Sequence, residues 1–314
     1  MRRSIAAIAT AACLAGAAQA AEVKYFPVPS YPHDVAPAPD GTVWYTGQGA
    51  GHLGRLDPKT GKVDTIALGK DSAPHGVIVG PDGAAWVTDG GQNANVRVDP
   101  ATGKVTVFPL PKDFANANLN TGAFDGRGIY WFTGQNGVYG RLDPKTGRTD
   151  MWNAPRGVGP YGIAATPSGD IWYASLAGDY IARIDTATGE ATVVEPPRKG
   201  VGPRRIWSDS RGLLWVSFWR TGEVGRYDPG TGIWKVWPLP GVQRGCYAVY
   251  VDDRDRVWLS SWQANAIVRF DPQSGRFESF PSNRKDADVR QMLGRPGELW
   301  GAESGTNRLV MIRD

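Results

Sequence analysis

Tryptophan recurs through this chain at Trp44, Trp86, Trp131, Trp172, Trp215, Trp258 and Trp300, at steps of 41 to 45 residues. A fixed period of this length is the signature of a repeat architecture, in which each unit is one supersecondary module. The period carries more than tryptophan. An arginine follows at Arg55, Arg97, Arg141, Arg183, Arg226 and Arg269, and two residues on lies Asp57, Asp99, Asp143, Asp185, Asp228 or Asp271. A glycine closes each set at Gly61, Gly103, Gly147, Gly189, Gly232 and Gly275.

Each unit reads as four short strands. In the second unit these are Gly76 to Val79, Ala85 to Thr88, Asn95 to Val98 and Val105 to Phe108. Pro81-Asp82-Gly83 and Asp99-Pro100-Ala101-Thr102-Gly103 separate them, with the Asp, Pro and Gly that tight turns need. Four strands every forty-odd residues make a propeller blade. The seventh unit ends after its third strand, and Val23 to Pro29 at the other end carries the missing fourth. The chain is therefore expected to be all-β, a seven-bladed propeller whose last blade is completed by the N-terminal strand. The repeated Trp, Arg and Asp are expected to be architectural: tryptophan packs between sheets, and each Arg-x-Asp pair braces its strand and turn.

The first twenty residues read differently. Arg2 and Arg3 precede an apolar run from Ile5 to Ala17, and Ala18-Gln19-Ala20 fits a small-residue cleavage site, as in a secretory signal peptide. The expected organisation is a signal peptide over 1–20 and one propeller domain over 21–314, exported to the periplasm or secreted. No segment is long and apolar enough to span a bilayer. Of the 35 Lys and Arg, two lie in the leader, so the remainder nearly balances 31 acids and gives no basic face for nucleic acid. Only Cys246 lies outside the leader, which excludes an intramolecular disulfide, a zinc-cysteine cluster and an attached c-type haem. Cys246 is expected to be a buried small hydrophobe, His52 to be exposed in its glycine loop, and the protein to be a monomer.

Function should lie where the blades differ. The start of each first strand and the end of each second strand share one rim of the channel. At the first position stand His33, His75, Asn120, Tyr161, Arg204, Tyr247 and Arg290; at the second, Gly47, Asp89, Gly134, Ser175, Phe218, Ser261 and Glu303. Trp219 and Trp262, four residues beyond their blade tryptophans, are placed to stack on a ligand. Arg204, Arg205 and Arg290 form a cationic arc across blades five to seven. A concave mouth of this kind is the default binding site.

The openings Ala73-Pro74-His75-Gly76-Val77, followed by Pro81-Asp82-Gly83 and Trp86, resemble the blades of streptogramin B (virginiamycin B) lyases. So do the Gly-Arg-Leu-Asp-Pro-x-Thr-Gly runs at Gly54–Gly61 and Gly140–Gly147, and the Phe-Pro-Leu-Pro exit at Phe108–Pro111. The resemblance covers all seven blades. It implies opening of a cyclic depsipeptide ester by elimination, with histidine as base and a divalent metal, Mg²⁺, polarising the ester carbonyl. The family's histidine positions fall on Arg290 and Tyr247, and its acidic positions on Asp288 and, within one residue, Glu303. Both acids are kept and both histidines are replaced, and arginine is no general base near neutral pH. A rotated constellation remains in His33 and His75, with Asp89 ending the second strand of blade two.

Three functions stay open on this reading. One is an exported propeller that binds a small anionic or aromatic ligand, or a periplasmic protein, at the channel mouth. Another is an Mg²⁺-dependent carbon–oxygen lyase using the rotated histidines or the remaining acids. The third is a metal-dependent lactonase or esterase, for which Glu303, Asp89 and Asn120 would supply carboxylate and amide ligands.

Overall fold

The computed structural model describes residues 21–313, so the leader read over 1–20 lies outside the described residues. Seven antiparallel sheets of four strands each follow one another around a ring. Blade two runs Pro74–Val79, Ala85–Asp89, Ala94–Val98 and Val105–Pro109, within two residues of the boundaries expected from the repeat. The first strand of each blade packs against the first strands of its neighbours around the central channel. Blade seven is completed by Glu22–Pro27, which pairs antiparallel with Arg308–Arg313 from Glu22↔Arg313 to Pro27↔Arg308. This is the seven-bladed propeller read from the tryptophan period. Among the described residues no helix is long and apolar enough to cross a membrane.

The repeat residues are architectural: the tryptophans pack between sheets, as Trp44 does in one cluster with Val87 and Val96 of blade two, and the Arg and Asp divide their bracing between turns. Each tryptophan of blades one to six sits in the second strand, directly across from the repeat arginine of the third, as in Trp44↔Arg55 and Trp131↔Arg141. The guanidinium stacks over the indole at 5.0 Å for Arg55 on Trp44 and 5.7 Å for Arg226 on Trp215. In several blades the arginine also pairs with the acid of the turn between strands one and two: Arg55 with Asp40 at 2.6 Å, Arg97 with Asp82 at 2.7 Å and Arg183 with Asp170 at 2.6 Å. The Asp two residues after the arginine folds instead over its own turn, accepting from backbone N–H groups such as those of Lys59 and Gly230. The acid of the turn between strands one and two also accepts the indole N–H in blades two, three, five and six, where it is Asp82, Asp125, Asp209 and Asp252.

A second repeated device fixes the channel lining. Two residues after the tryptophan stands a buried hydroxyl in five blades: Thr46, Thr88, Thr133, Ser217 and Ser260. Thr46 Oγ1 accepts from the Asp34 amide of its own blade and donates to the His75 carbonyl of the next, at 3.0 and 2.7 Å. Ser217 Oγ does the same between the Arg205 amide and the Tyr247 carbonyl, at 3.0 and 2.9 Å. These bonds satisfy buried backbone groups freed by a one-residue bulge near the start of every first strand, for example between Pro32 and Val35 against Gly47 and Tyr45. Neighbouring first strands lie close there: a Cβ on Gly162 would meet the Arg205 Cα at 2.7 Å.

Candidate functional site at the channel mouth

The seven rim positions counted from the tryptophans are the second residues of the seven first strands. The bulge turns both the second and the third residue of a strand towards the channel, so Asp34 and Arg205 join the lining alongside His33 and Arg204. Arg205 is 1% exposed. It reaches from blade five across to Asp34 of blade one, at 3.2 Å, and donates to Thr121 Oγ1 of blade three. This pair occupies the space between opposite blades.

The two histidines meet above it. His33 and His75 have ring centroids 3.9 Å apart. His33 Nδ1 lies 2.9 Å from the Asp34 carboxylate and Nε2 lies 3.4 Å from Arg290 Nη1. His75 Nε2 is 3.2 Å from the amide nitrogen of Asn120, whose oxygen accepts from Thr121 at 2.7 Å. Burial pushes both imidazoles well below their ordinary range, and for His33 the neighbouring Arg290, Arg205 and Arg204 add to it. Both are therefore neutral at pH 7. Burial pushes the Asp34 carboxyl up, opposed chiefly by Arg205.

The other half of the mouth is an aromatic and cationic wall. Arg204 stacks 3.8 Å over Tyr247, 4.3 Å over Tyr161 and 4.8 Å over Trp219, and donates to the Tyr161 hydroxyl at 2.6 Å. Arg290 donates to Ser304 Oγ at 2.9 Å, to the Tyr247 hydroxyl at 3.4 Å and to the hydroxyl of the exposed Tyr31. It lies 5.1 Å over Trp262, which stacks on Tyr247 at 4.9 Å with an interplanar angle of 8°. Trp219 meets Trp262 edge-on at 5.3 Å. Arg204, Arg290, Trp219 and Trp262 are partly exposed, whereas Tyr161 and Tyr247 are buried. The guanidiniums of Arg204 and Arg290 thus bond to hydroxyls rather than carboxylates. Several buried polar atoms here have no hydrogen-bond partner within the protein, among them His75 Nδ1, Arg204 Nε and Arg205 Nε. A buried polar group without a partner costs free energy, so such a cluster is a place for a polar ligand.

The acids read as metal ligands lie elsewhere in the network. Glu303 is 1% exposed, its Oε2 engaged by Arg308 and Thr306 and its Oε1 by Ser282. Asp89 organises the loop after its strand, accepting from Ser72, from the amides of Ala73, Gly91 and Gln92, and from the Gln92 side chain. Asp288 is partly buried two residues before Arg290; burial pushes its carboxyl up against the pull of Arg290. Among the described residues, His33, Asp34 and His75 are the one group of three or more His, Cys, Asp or Glu whose ligand atoms all lie within 4.8 Å of one another. That donor set does not suit Mg²⁺, a hard cation that takes oxygens. It offers one carboxylate, already bonded to Arg205, with Arg290 against His33.

Of the remaining sequence expectations, Cys246 is fully buried and its thiol is pushed up by burial. His52 is half-buried rather than exposed, 3.3 Å from Ser30 Oγ and edge-on to Tyr45. Counting from the tryptophans misses Asp34, Tyr31 and Thr121. The dipeptides His33-Asp34 and Arg204-Arg205 held the signal for the bulge, since both members of each are polar on a strand otherwise apolar.

The family model described as the virginiamycin B lyase family matches residues 7–142 and 69–314. A solved streptogramin B lyase is 22% identical, covers 93% of this chain and 97% of its own, and superposes with a TM-score of 0.85. The virginiamycin B lyase of Staphylococcus aureus is 20% identical over 94% of this chain and all of its own, with a TM-score of 0.86. An extracellular domain described as part of a hybrid two-component system of B. thetaiotaomicron is 14% identical, covering 92% of this chain and 42% of that one, at a TM-score of 0.73. Comparison with curated proteins finds no match. With the family model spanning nearly the whole propeller, the chain belongs to the virginiamycin B lyase family.

Proposed function

We propose that this propeller is exported and binds a small anionic ligand carrying an aromatic group at the channel mouth. The observation that carries this reading is the convergence of Arg204, Arg205 and Arg290 on a mouth whose inner carboxylate, Asp34, already serves Arg205. Arg204 and Arg290 are partly exposed and lie over aromatic rings, which pre-orders them for a planar anion. Trp219 and Trp262, both partly exposed, stand beside them. The export part of the proposal rests on the leader sequence at residues 1–20.

Titration with phenylacetate, followed by tryptophan fluorescence, tests it. A charge-assisted hydrogen bond contributes about 1.5–3 kcal/mol, so Arg204→Ala and Arg290→Ala should each weaken binding by roughly ten- to a hundredfold. Equal affinity in the wild type and both variants would remove the reading.

A second reading, elimination at a cyclic ester, is favoured by the histidine pair. His75 is neutral and buried at the mouth, with a ring nitrogen that meets no protein partner. The S. aureus virginiamycin B lyase solved with quinupristin is described as catalytically inactive after a single His-to-Ala change. If His75 is the base here, His75→Ala abolishes ring opening of quinupristin while Arg290→Ala retains it. Loss in Arg290→Ala with retention in His75→Ala contradicts this reading.

A further inference from the structure

We infer that the outer groove between blades four and five is a docking site for an aromatic side chain of a protein partner, which supplies the ring that blade four lacks. The groove lies away from the channel mouth and is independent of the anion site.

Blade four departs from the repeat at three linked positions. On the outer strand of five blades an aromatic ring packs on the blade's own tryptophan. These are Phe108 on Trp86 at 5.8 Å, Trp152 on Trp131 at 5.9 Å, Trp237 on Trp215 and Phe280 on Trp258 at 5.6 Å, and Phe26 on Trp300 at 5.3 Å. Phe108 pairs in register with Asn95, and the matching pair in blade four is Val194 with Ile181. Valine therefore stands where the ring belongs, at the end of the shortest outer strand, Ala191–Val194. Blade one also lacks a ring, with Ile66 in its place, but keeps Arg55 over Trp44 at 5.0 Å. In blade four the repeat arginine has moved outward: the Arg183 side chain is 57% exposed, against 25–27% for Arg55, Arg97 and Arg141. The turn acid that takes the indole N–H in four other blades is here Asp170, which accepts instead from Arg183 at 2.6 Å and Ser168 at 2.7 Å.

The result is a groove of about 590 Å³ whose lining includes Trp172, Thr192 and Val194 of blade four and Leu213 and Tyr227 of blade five. Trp172 and Tyr227 are buried with their rings 5.8 Å apart, so the surface a partner meets is that of the partly exposed Val194 and Leu213 and the exposed Thr192. Its two arginines, Arg183 and Arg211, are each paired with an acid, Asp170 and Asp209, which leaves the apolar side chains to select the occupant. The groove opens along the outer strand, where a free small molecule would bury little of its surface. A ring projecting from a larger partner is held there by the contacts around it, as aromatic anchors are in protein interfaces.

The probe is the capped amino acid N-acetyl-L-phenylalaninamide, followed through the indole N–H resonance of Trp172 in nitrogen-15 spectra and assigned with Trp172→Phe. That resonance should shift saturably with a Kd of about 1 mM, and N-acetyl-L-alaninamide should not move it. Val194→Phe gives blade four the ring of the other blades; it should melt no lower than the wild type and bind the probe roughly tenfold more weakly or worse. Thr192→Trp, at an exposed position of the lining, should block binding likewise and decides the matter if Val194→Phe does not fold. Arg290→Ala should leave the shift unchanged, which separates this groove from the channel mouth. No saturable shift, an equal shift with the alanine amide, or wild-type affinity in the folded groove variants would overturn the inference. Micromolar binding of the free amide would mark a small-molecule site and overturn it too.

Discussion

Arg205 and Asp34 form a buried ion pair between blades five and one, with side chains 2% and 1% exposed. Removing one partner of such a pair leaves an uncompensated charge, so Asp34→Ala should cost about 3–5 kcal/mol, read from denaturant midpoints, while Asp34→Leu with Arg205→Met should recover much of it. The histidines give a pH dependence. Their folded pKa values are depressed, so below the ordinary value of about 6.5 the unfolded chain binds protons that the folded one does not, and stability must fall as pH drops. Thermal melts from pH 7.5 down to 5 should show this slope, and His75→Gln should flatten it; an unchanged slope would contradict neutral burial. At this scale the sequence was legible where one position could be compared across blades. His33, His75, Arg204, Tyr247 and Arg290 all emerge from counting, and all line the mouth. Asp34 does not, because strict strand alternation sends it away from His33, and only the bulge brings both inward. Glu303 reads as a metal ligand until Arg308, five residues on, is seen to engage it.

The blade is the element that turns this repeat into a site. Its strands and turns follow from alternation and turn chemistry, which is why the unit-two boundaries agree so closely with the fold. What sequence left hidden is the coupling between blades. The hydroxyl two residues after the tryptophan is visible in five units, but its meaning depends on a carbonyl in the next unit. Ser217→Ala would strip the hydrogen bonds from the Arg205 amide and the Tyr247 carbonyl, on the strands that carry Arg204 and Tyr247 of the wall. A loss of about 1–3 kcal/mol is expected, with weaker phenylacetate binding although Ser217 is fully buried beneath the mouth. Stability and affinity both equal to the wild type would show that the bridge does not position the wall. The Arg-x-Asp motif carries a similar lesson: its two members serve different turns, which spacing alone does not distinguish.

Across the whole molecule, closure depends on the N-terminal strand. Glu22–Pro27 covers the edge that Arg308–Arg313 would otherwise expose, and Phe26 packs at 5.3 Å on Trp300. Arg308 links the two, bonded to Glu303 and lying 4.1 Å over Tyr25. Closure was legible because the seventh unit lacks one strand and the N-terminus supplies it. The ligand was not, because the family pattern falls on Arg290 and Tyr247 where histidines are expected, and the mouth's charge arises from three different blades. The central claim is that this mouth recognises an anion through Arg204 and Arg290. Isothermal titration with phenylacetate and with its uncharged amide, at low and high salt, tests it most directly. Binding of the acid alone, weakened by salt and by Arg290→Ala, is the predicted result. Equal binding of acid and amide, or of neither, would contradict it.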